Sequence, residues 1–135
     1  MTRENLQHNA GDEVSRGREA LQGAEQLFRS RLYYEAASRA YYAVFHFARA
    51  LAWAAGETPK THQGVAHSLR IHYIWTGKLS PDTDRRYGAI QNFREQADYD
   101  ETFTLDPEGA RLALEDTQLL TKRMELLLQE SGALG

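Results

Sequence analysis

The chain has 135 residues, of which 16 are basic and 19 acidic, and it contains no cysteine. This length predicts one domain, and the near-neutral charge does not predict electrostatic binding to duplex nucleic acid or to a membrane surface. The absence of thiols excludes disulfides and is typical of a reducing compartment. We therefore expect a cytoplasmic protein with a single domain over 11–130 and flexible ends at 1–10 and 131–135.

No stretch of the sequence predicts a membrane span or an export signal. The most apolar stretch, 36–55, is interrupted by Arg39, His46 and Arg49, whereas a span needs about 20 predominantly apolar residues. The N-terminal segment is polar and lacks the apolar centre of a signal peptide. We expect no membrane partner.

The first two helices are predicted at 12–30 and 31–55, and the link between them is so short that they should be antiparallel neighbours. The second helix has neither Gly nor Pro and is apolar around most of its circumference, which predicts burial on most sides. Its predicted core positions are Leu32, Ala36, Ala40, Ala43, Val44, Phe45, Phe47, Ala50 and Leu51.

Three further helices are predicted after Gly56, a typical helix terminator. They cover about 62–76, 83–97 and 106–129, with Thr61 as the N-cap of the first and Asp106 and Pro107 at the start of the last. The segment 98–105 is expected to be irregular or extended. Helices joined by short loops predict an all-α fold, an up-and-down bundle of four or five helices.

One sector of the second helix is polar. Its side chains follow each other at steps of four, three, four and three, so they share a single stripe: Glu35, Arg39, Tyr42, His46 and Arg49. A polar stripe on a core helix is either a functional site or the one face left in water. The sequence leaves both interpretations open.

Arg39 and His46 lie two helical turns apart on this stripe, about 10 Å along the axis, so their side chains can converge on one anion. Arginine is a permanent cation with donors that suit phosphate, and histidine transfers protons near neutral pH. Metal-free RNA cleavage needs these functions, and Tyr42 between them could donate a hydrogen bond. The alternative is that Arg39 pairs with Glu35 and that His46 is a core histidine with satisfied hydrogen bonds.

Two other short segments carry clustered polar side chains. Lys60 and His62 stand at a predicted helix start, which attracts anions, although the glycine spacing excludes a P-loop. Arg94 and Asp98 are spaced for an ion pair within one helix. An ordinary capped loop and a surface ion pair are the alternatives.

The five histidines do not predict a metal site. His62, His67 and His72 are spaced by five, which spreads them around a helix, and the sequence contains neither an HExxH motif nor a cysteine. We expect no metal and no cofactor.

Three separated motifs make the chain resemble the HEPN domain family (higher eukaryotes and prokaryotes nucleotide-binding), in particular its small stand-alone prokaryotic branch. The motifs are AASRAYYAVFH at 36–46, KTHQGV at 60–65 and REQADY at 94–99. They occur in the same order as in that branch, and the resemblance covers about 31–130.

The resemblance implies a HEPN-like helical bundle, often a two-fold dimer, that belongs to a toxin–antitoxin module. In such modules the partner is a minimal nucleotidyltransferase, and the HEPN protein is commonly a metal-independent endoribonuclease with an Arg-x4-6-His motif. Here Arg94 is followed by Asp98 and Tyr99 instead of a histidine. Arg39 and His46 satisfy the spacing, but on an earlier helix.

We therefore predict a HEPN protein that binds a nucleotide or RNA, is paired with a nucleotidyltransferase and forms a homodimer. The alternatives are an active metal-independent endoribonuclease toxin and a non-catalytic structural homodimer. The predicted catalytic residues are Arg39 and His46, and the predicted nucleotide- or RNA-binding residues are Tyr42, Lys60, His62, Arg94, Asp98 and Tyr99. A dimer is also favoured by abundant aromatic residues, which are common at interfaces: Tyr33, Tyr34, Tyr41, Tyr42, Trp53, Tyr73 and Trp75.

Overall fold

The computed structural model describes residues 2–99 and 106–133, and these residues contain no strand. They form α1 (Arg3–Arg29), α2 (Tyr33–Ala54), α3 (His62–Leu69), α4 (Asp82–Tyr99) and α5 (Pro107–Glu130), and α3 continues into a π-helical turn, Arg70–Ile74. The prediction of an all-α bundle is confirmed. No helix among the described residues is both long enough and apolar enough to cross a membrane.

α2 is the central helix of the bundle. It packs against α1, α3, α4 and α5, which removes most of its circumference from water. Tyr41, Phe47 and Leu51 are fully buried, and each such side chain stabilises the fold by about 1.5–3 kcal/mol. Among the predicted core positions of this helix only Leu32 is wrong. It is 48% exposed, because it precedes the helix instead of forming part of it.

The starts of α1 and α2 both differ from the prediction. α1 begins at Arg3 and not near Asp12, because Thr2 caps it by accepting a hydrogen bond from the Asn5 N–H at 3.1 Å. Between the two helices Arg31 has a φ of 62°, a left-handed conformation that a right-handed helix does not accommodate. α2 therefore begins two residues later than predicted, at Tyr33.

α1 and α2 approach each other closely at Gly17. A Cβ atom at this position would lie 2.7 Å from a ring carbon of Phe47, well inside van der Waals contact. A larger side chain would therefore push the two helices apart. The close approach brings the polar side chains of α1 within reach of the polar stripe of α2.

The predicted helix starts at Thr61 and Asp106 are confirmed. Thr61 Oγ1 accepts a hydrogen bond from the Gly64 N–H at 2.9 Å, and Asp106 Oδ1 accepts one from the Gly109 N–H at 2.6 Å. Gly56 follows α2 with a φ of 86°, as expected for a helix terminator. These caps fix where α3 and α5 enter the bundle.

Two helix ends differ from the prediction. The third helix does not stay α-helical to Thr76, because its last turn is a π turn in which the Trp75 N–H donates to the Arg70 carbonyl at 2.8 Å. α4 continues to Tyr99, so Asp98 and Tyr99 are helical and not irregular. The remainder of that predicted irregular segment, 100–105, lies outside the described residues.

Candidate functional site

The polar stripe of α2 contributes side chains to two neighbouring sites, one towards α4 and one towards α1. Tyr42 lines a groove that α2 forms with α3 and α4, which we call the α2–α4 groove. Arg39 and His46 line a smaller cavity against α1, which we call the α1–α2 cavity. Glu35 is exposed to solvent. The stripe therefore does not form one continuous functional face.

The α2–α4 groove is the larger of these two sites, with a volume of about 1030 Å³. Its walls come from α2, the first turn of α3 and the second half of α4. The lining side chains are mostly polar: Tyr42, His62, Gln63, Gln91, Arg94, Glu95, Gln96 and Tyr99. Four of the predicted binding residues therefore meet in one groove, although they come from three different helices.

Arg94 is the cation of the groove. Its guanidinium carbon lies 5.2 Å from the centre of the Tyr41 ring and 5.4 Å from the centre of the Tyr42 ring, so two aromatic faces support it. Asp98 Oδ2 lies 3.0 Å from Arg94 Nε, which confirms the predicted ion pair. Nη2 lies 3.4 Å from the Tyr42 hydroxyl oxygen. These contacts fix the position of the guanidinium group.

His62 also lines the groove. Its ring stacks on Phe45 with a centroid distance of 4.4 Å, and its Nδ1 atom shares a hydrogen bond with the Tyr41 hydroxyl. Burial and the positive charges of Arg94 and Arg49 lower the pKa of the imidazole, whereas burial raises the pKa of Tyr41 to about 12. Both groups are therefore neutral at pH 7, and His62 offers hydrogen bonding there instead of a charge.

Lys60 and Tyr99 differ in their positions relative to the groove. Lys60 is exposed in the loop before α3 and is not among the residues that line the groove. Tyr99 is 74% exposed and stands at the mouth of the groove. Among the described residues, the lining of the groove therefore contains one arginine and no lysine.

A buried carboxylate on α1, that of Glu13, contacts His46 and Arg49 of the stripe. Glu13 is fully buried, and its Oε2 atom lies 2.8 Å from both His46 Nδ1 and Arg49 Nε. Its Oε1 atom accepts hydrogen bonds from Arg49 Nη2 at 2.6 Å and from Arg16 Nη1 at 3.3 Å. Burial alone would raise the pKa of Glu13, but the hydrogen bonds and charges of His46 and Arg49 together lower it to about 2.

The α1–α2 cavity brings the two predicted catalytic residues together. It has a volume of about 370 Å³, and its lining consists of Arg16, Glu19, Ala20, Gly23, Arg39 and His46. Tyr42 is not part of this lining and lines the groove instead, although the centre of its ring lies 6.4 Å from that of His46. His46 keeps 18% of its side chain exposed and is not a fully enclosed core histidine.

Sequence reasoning missed Glu13, although a signal was present. The buried face of α1 repeats at helical spacing and consists largely of small residues: Ala10, Glu13, Val14, Gly17, Ala20 and Ala24. A single carboxylate on such a face has no access to water and needs a cationic partner on the facing helix. His46 and Arg49 were the available partners on the stripe of α2.

The described residues contain no group of three or more His, Cys, Asp or Glu side chains that could hold a metal ion. His72 instead lies 3.5 Å from Glu57 through its Nε2 atom. His67 is exposed on α3.

The described residues form an all-α bundle with an aromatic groove that contains Arg94 and lies between α2, α3 and α4. The model of the HEPN domain matches residues 11–127. The chain belongs to the HEPN domain family, in agreement with the resemblance of its three motifs.

Several proteins resemble the chain over most of its length. "Putative toxin MJ0142" of Methanocaldococcus jannaschii is 29% identical over 87% of the chain and 81% of its own length. "Putative toxin MJ0605" of the same organism is 32% identical over 83% of each. A "UPF0332 protein" of Thermotoga maritima is 26% identical over 85% of the chain and 87% of its own length.

We expect Glu13→Gln to destabilise the fold at neutral pH and to lose most of this effect in acid. The folded-state pKa of about 2 lies below the usual value of 4.5, so ionised Glu13 stabilises the folded state above about pH 4.5, and this contribution is lost as the pH falls towards 2. The difference in pKa corresponds to about 3 kcal/mol. Denaturant unfolding of both proteins between pH 7 and pH 3 measures the effect.

Glu19→Gln is the matched control, because Glu19 is exposed on the same helix. It should change the free energy of unfolding at pH 7 by less than about 0.5 kcal/mol. If Glu13→Gln costs the same stability at pH 3 as at pH 7, the ionised carboxylate does not have the role assigned to it.

Proposed function

We propose that this HEPN protein binds a nucleotide unit, either free or within single-stranded RNA, in the α2–α4 groove. The observation that carries the proposal is the placement of Arg94 across two tyrosine rings at the wall of an open groove. A guanidinium group offers a fixed charge and several N–H donors to phosphate oxygens. Asp98 contacts its Nε edge and the Tyr42 hydroxyl lies 3.4 Å from Nη2, which leaves further N–H groups of the guanidinium for a ligand.

The rest of the groove suits the other parts of a nucleotide. Tyr99 stands exposed at its mouth, where an aromatic ring can stack on a base. The side-chain amides of Gln63, Gln91 and Gln96 also line the groove, and each amide can both donate and accept hydrogen bonds with a base edge or a ribose. The chemistry fits a ligand with one phosphate beside an aromatic ring.

Arg94→Gln should weaken binding of a fluorescent single-stranded oligoribonucleotide and of free nucleotide by about 10-fold to 100-fold, the usual contribution of a charged hydrogen bond. Fluorescence anisotropy at several salt concentrations measures this. For the oligoribonucleotide, the plot of log binding constant against log salt concentration should become less steep by about 0.7, because the variant neutralises one phosphate fewer. Arg94→Lys should restore only part of the affinity, because lysine lacks the planar group that stacks on tyrosine.

Arg85→Gln provides the control for this experiment. Arg85 is exposed on α4 and does not line the groove, and the substitution removes the same charge from the same helix. Equal loss of affinity in Arg85→Gln and Arg94→Gln would mean that general charge and not the groove binds the ligand.

We also propose that the protein is one component of a toxin–antitoxin pair with a minimal nucleotidyltransferase and that it forms a homodimer. The names of two relatives support the first part, since both contain the word toxin. Large apolar side chains that stay exposed support the second: Leu32, Tyr34, Trp75, Tyr99, Leu112 and Leu126. Of the seven aromatic residues predicted for the interface, only Tyr34 and Trp75 are among them.

Light scattering at micromolar concentration should report twice the mass of one chain. A nucleotidyltransferase encoded beside the gene should copurify with the protein when the two are coexpressed. A monomer that forms a complex with that partner would remove the homodimer from this proposal. A dimer that binds neither nucleotide nor partner would favour a purely structural role.

A second candidate function is metal-independent RNA cleavage in the α1–α2 cavity. The observation that favours it is that His46 and Arg39 line one cavity while buried Glu13 holds one nitrogen of the His46 ring. The imidazole can transfer protons, and Arg39 and Arg16 can stabilise the charge of a pentacoordinate phosphate. Lys60 and Arg94 do not line this cavity.

If this second function holds, the protein should cleave single-stranded RNA in the presence of EDTA, and His46→Ala should reduce the rate by about 100-fold or more, the usual contribution of a general acid or base. His67→Ala is the control, because His67 is an exposed histidine on α3, and it should retain native activity. Equal cleavage by native protein and His46→Ala would show that the nuclease activity comes from a contaminant.

A further inference from the structure

Glu13 determines which nitrogen of His46 carries a proton. An ionised carboxylate has no hydrogen to donate, so the hydrogen bond between Glu13 Oε2 and His46 Nδ1, 2.8 Å apart, requires a proton on Nδ1. When the imidazole is neutral, its only proton is then on Nδ1 and the other nitrogen, Nε2, has a free lone pair. The contact therefore fixes the tautomer of the ring as well as its orientation.

The carboxylate is itself held in place. Arg49 donates to both oxygens of Glu13, from Nε to Oε2 at 2.8 Å and from Nη2 to Oε1 at 2.6 Å. Such a bidentate pair fixes the plane of the carboxylate. With Glu13 fully buried, water does not compete for these hydrogen bonds.

The second nitrogen of the ring is the one available to the cavity. His46 lines the α1–α2 cavity, and its Nδ1 atom is turned to Glu13, so a ligand in the cavity meets the ring through its Nε2 side. Arg16 and Arg39 line the same cavity. A proton acceptor beside two guanidinium groups is an arrangement that suits a hydroxyl group next to a phosphate.

We propose that Glu13 is a positioning residue that keeps His46 Nε2 unprotonated as the proton acceptor of the α1–α2 cavity. The inference rests on RNA cleavage as the second candidate function. In that reaction Nε2 takes the proton of the ribose 2′-hydroxyl, and the oxygen forms a bond to the adjacent phosphorus. The bond from phosphorus to the 5′-oxygen breaks, and the leaving oxygen takes a proton from water. Glu13 stabilises the imidazolium cation that results.

Glu13→Gln should reverse the tautomer without changing the size of the side chain. The Oε1 position faces two fixed donors, from Arg49 and Arg16, whereas Oε2 faces only one fixed donor besides His46. The amide oxygen should therefore occupy the Oε1 position and the amide nitrogen the Oε2 position. That nitrogen donates to His46 Nδ1, so the ring proton moves to Nε2 and the cavity loses its acceptor.

Nitrogen–proton correlation NMR of the histidine rings in the full chain distinguishes the two tautomers. At a pH where His46 is neutral we expect a proton on Nδ1 in the native protein, in Glu13→Asp and in the control Glu4→Gln, whose exposed position on α1 lies outside the cavity lining. In Glu13→Gln we expect the proton on Nε2. The Nε2–H tautomer in the native protein would overturn the proposal, even if Glu13→Gln does not fold. So would an unchanged tautomer in folded Glu13→Gln.

Cleavage assays in EDTA separate this proposal from the function on which it rests. In an active protein, Glu13→Gln should lower kcat by about 100-fold or more with little change in KM, and adding His46→Ala to it should cost little more. Glu13→Asp should recover part of kcat. If the native protein has the expected tautomer but does not cleave RNA, the cleavage function is refuted, whereas the role of Glu13 in fixing the tautomer of His46 is retained. Cleavage that is equal in native protein and Glu13→Gln would end the positioning role and leave the cleavage function.

Discussion

The structure depends on the burial of α2, which packs against each of the other four α-helices in the described part of the chain. Polar side chains of α2 that are turned into this packing need a partner on a neighbouring helix. Glu13 of α1 supplies that partner for His46 and Arg49. On another side of α2, Tyr42 meets Arg94 of α4. Both candidate sites are therefore consequences of the same packing requirement.

The ion cluster around Glu13 is unfavourable to bury and is held together by its geometry. Removal of a carboxylate from water costs several kcal/mol, and only close, well-directed partners offset this cost. Arg49 provides a bidentate contact, and Arg16 and His46 add one contact each. A methionine or leucine at position 13 would avoid that cost of desolvation, but it would leave Arg49 and His46 without their common partner.

The sequence predicted the helices well because their signals are local. Helical periodicity, the caps at Thr61 and Asp106 and the i,i+4 spacing of Arg94 and Asp98 depend on residues a few positions apart. The start of α1 was missed because its first turns are polar, and only Ala10 among 3–10 is buried. Glu13 was missed because its partners are on another helix, at positions that only the packing of α1 on α2 defines.

The stripe on α2 shows the same limit for the candidate sites. Helical spacing correctly placed its members along one sector, and the family motifs identified four of the residues that line the groove. Spacing does not tell which neighbouring helix faces each turn. As a result Tyr42 was grouped with Arg39 and His46. In the structure Tyr42 lines the groove beside α4, whereas Arg39 and His46 line the cavity against α1. Lys60 belongs to the same motif as His62, but it does not line the groove.

The environment of His62 has a consequence for the cell in which the protein works. Burial and two nearby arginines lower the pKa of this imidazole, whereas the guanidinium group of Arg94 keeps its charge throughout the physiological range. Near neutral pH, His62 therefore adds less positive charge to the groove than an imidazole with the ordinary pKa would. Under the proposed function, binding in the groove then depends less on proton concentration than on the supply of the ligand.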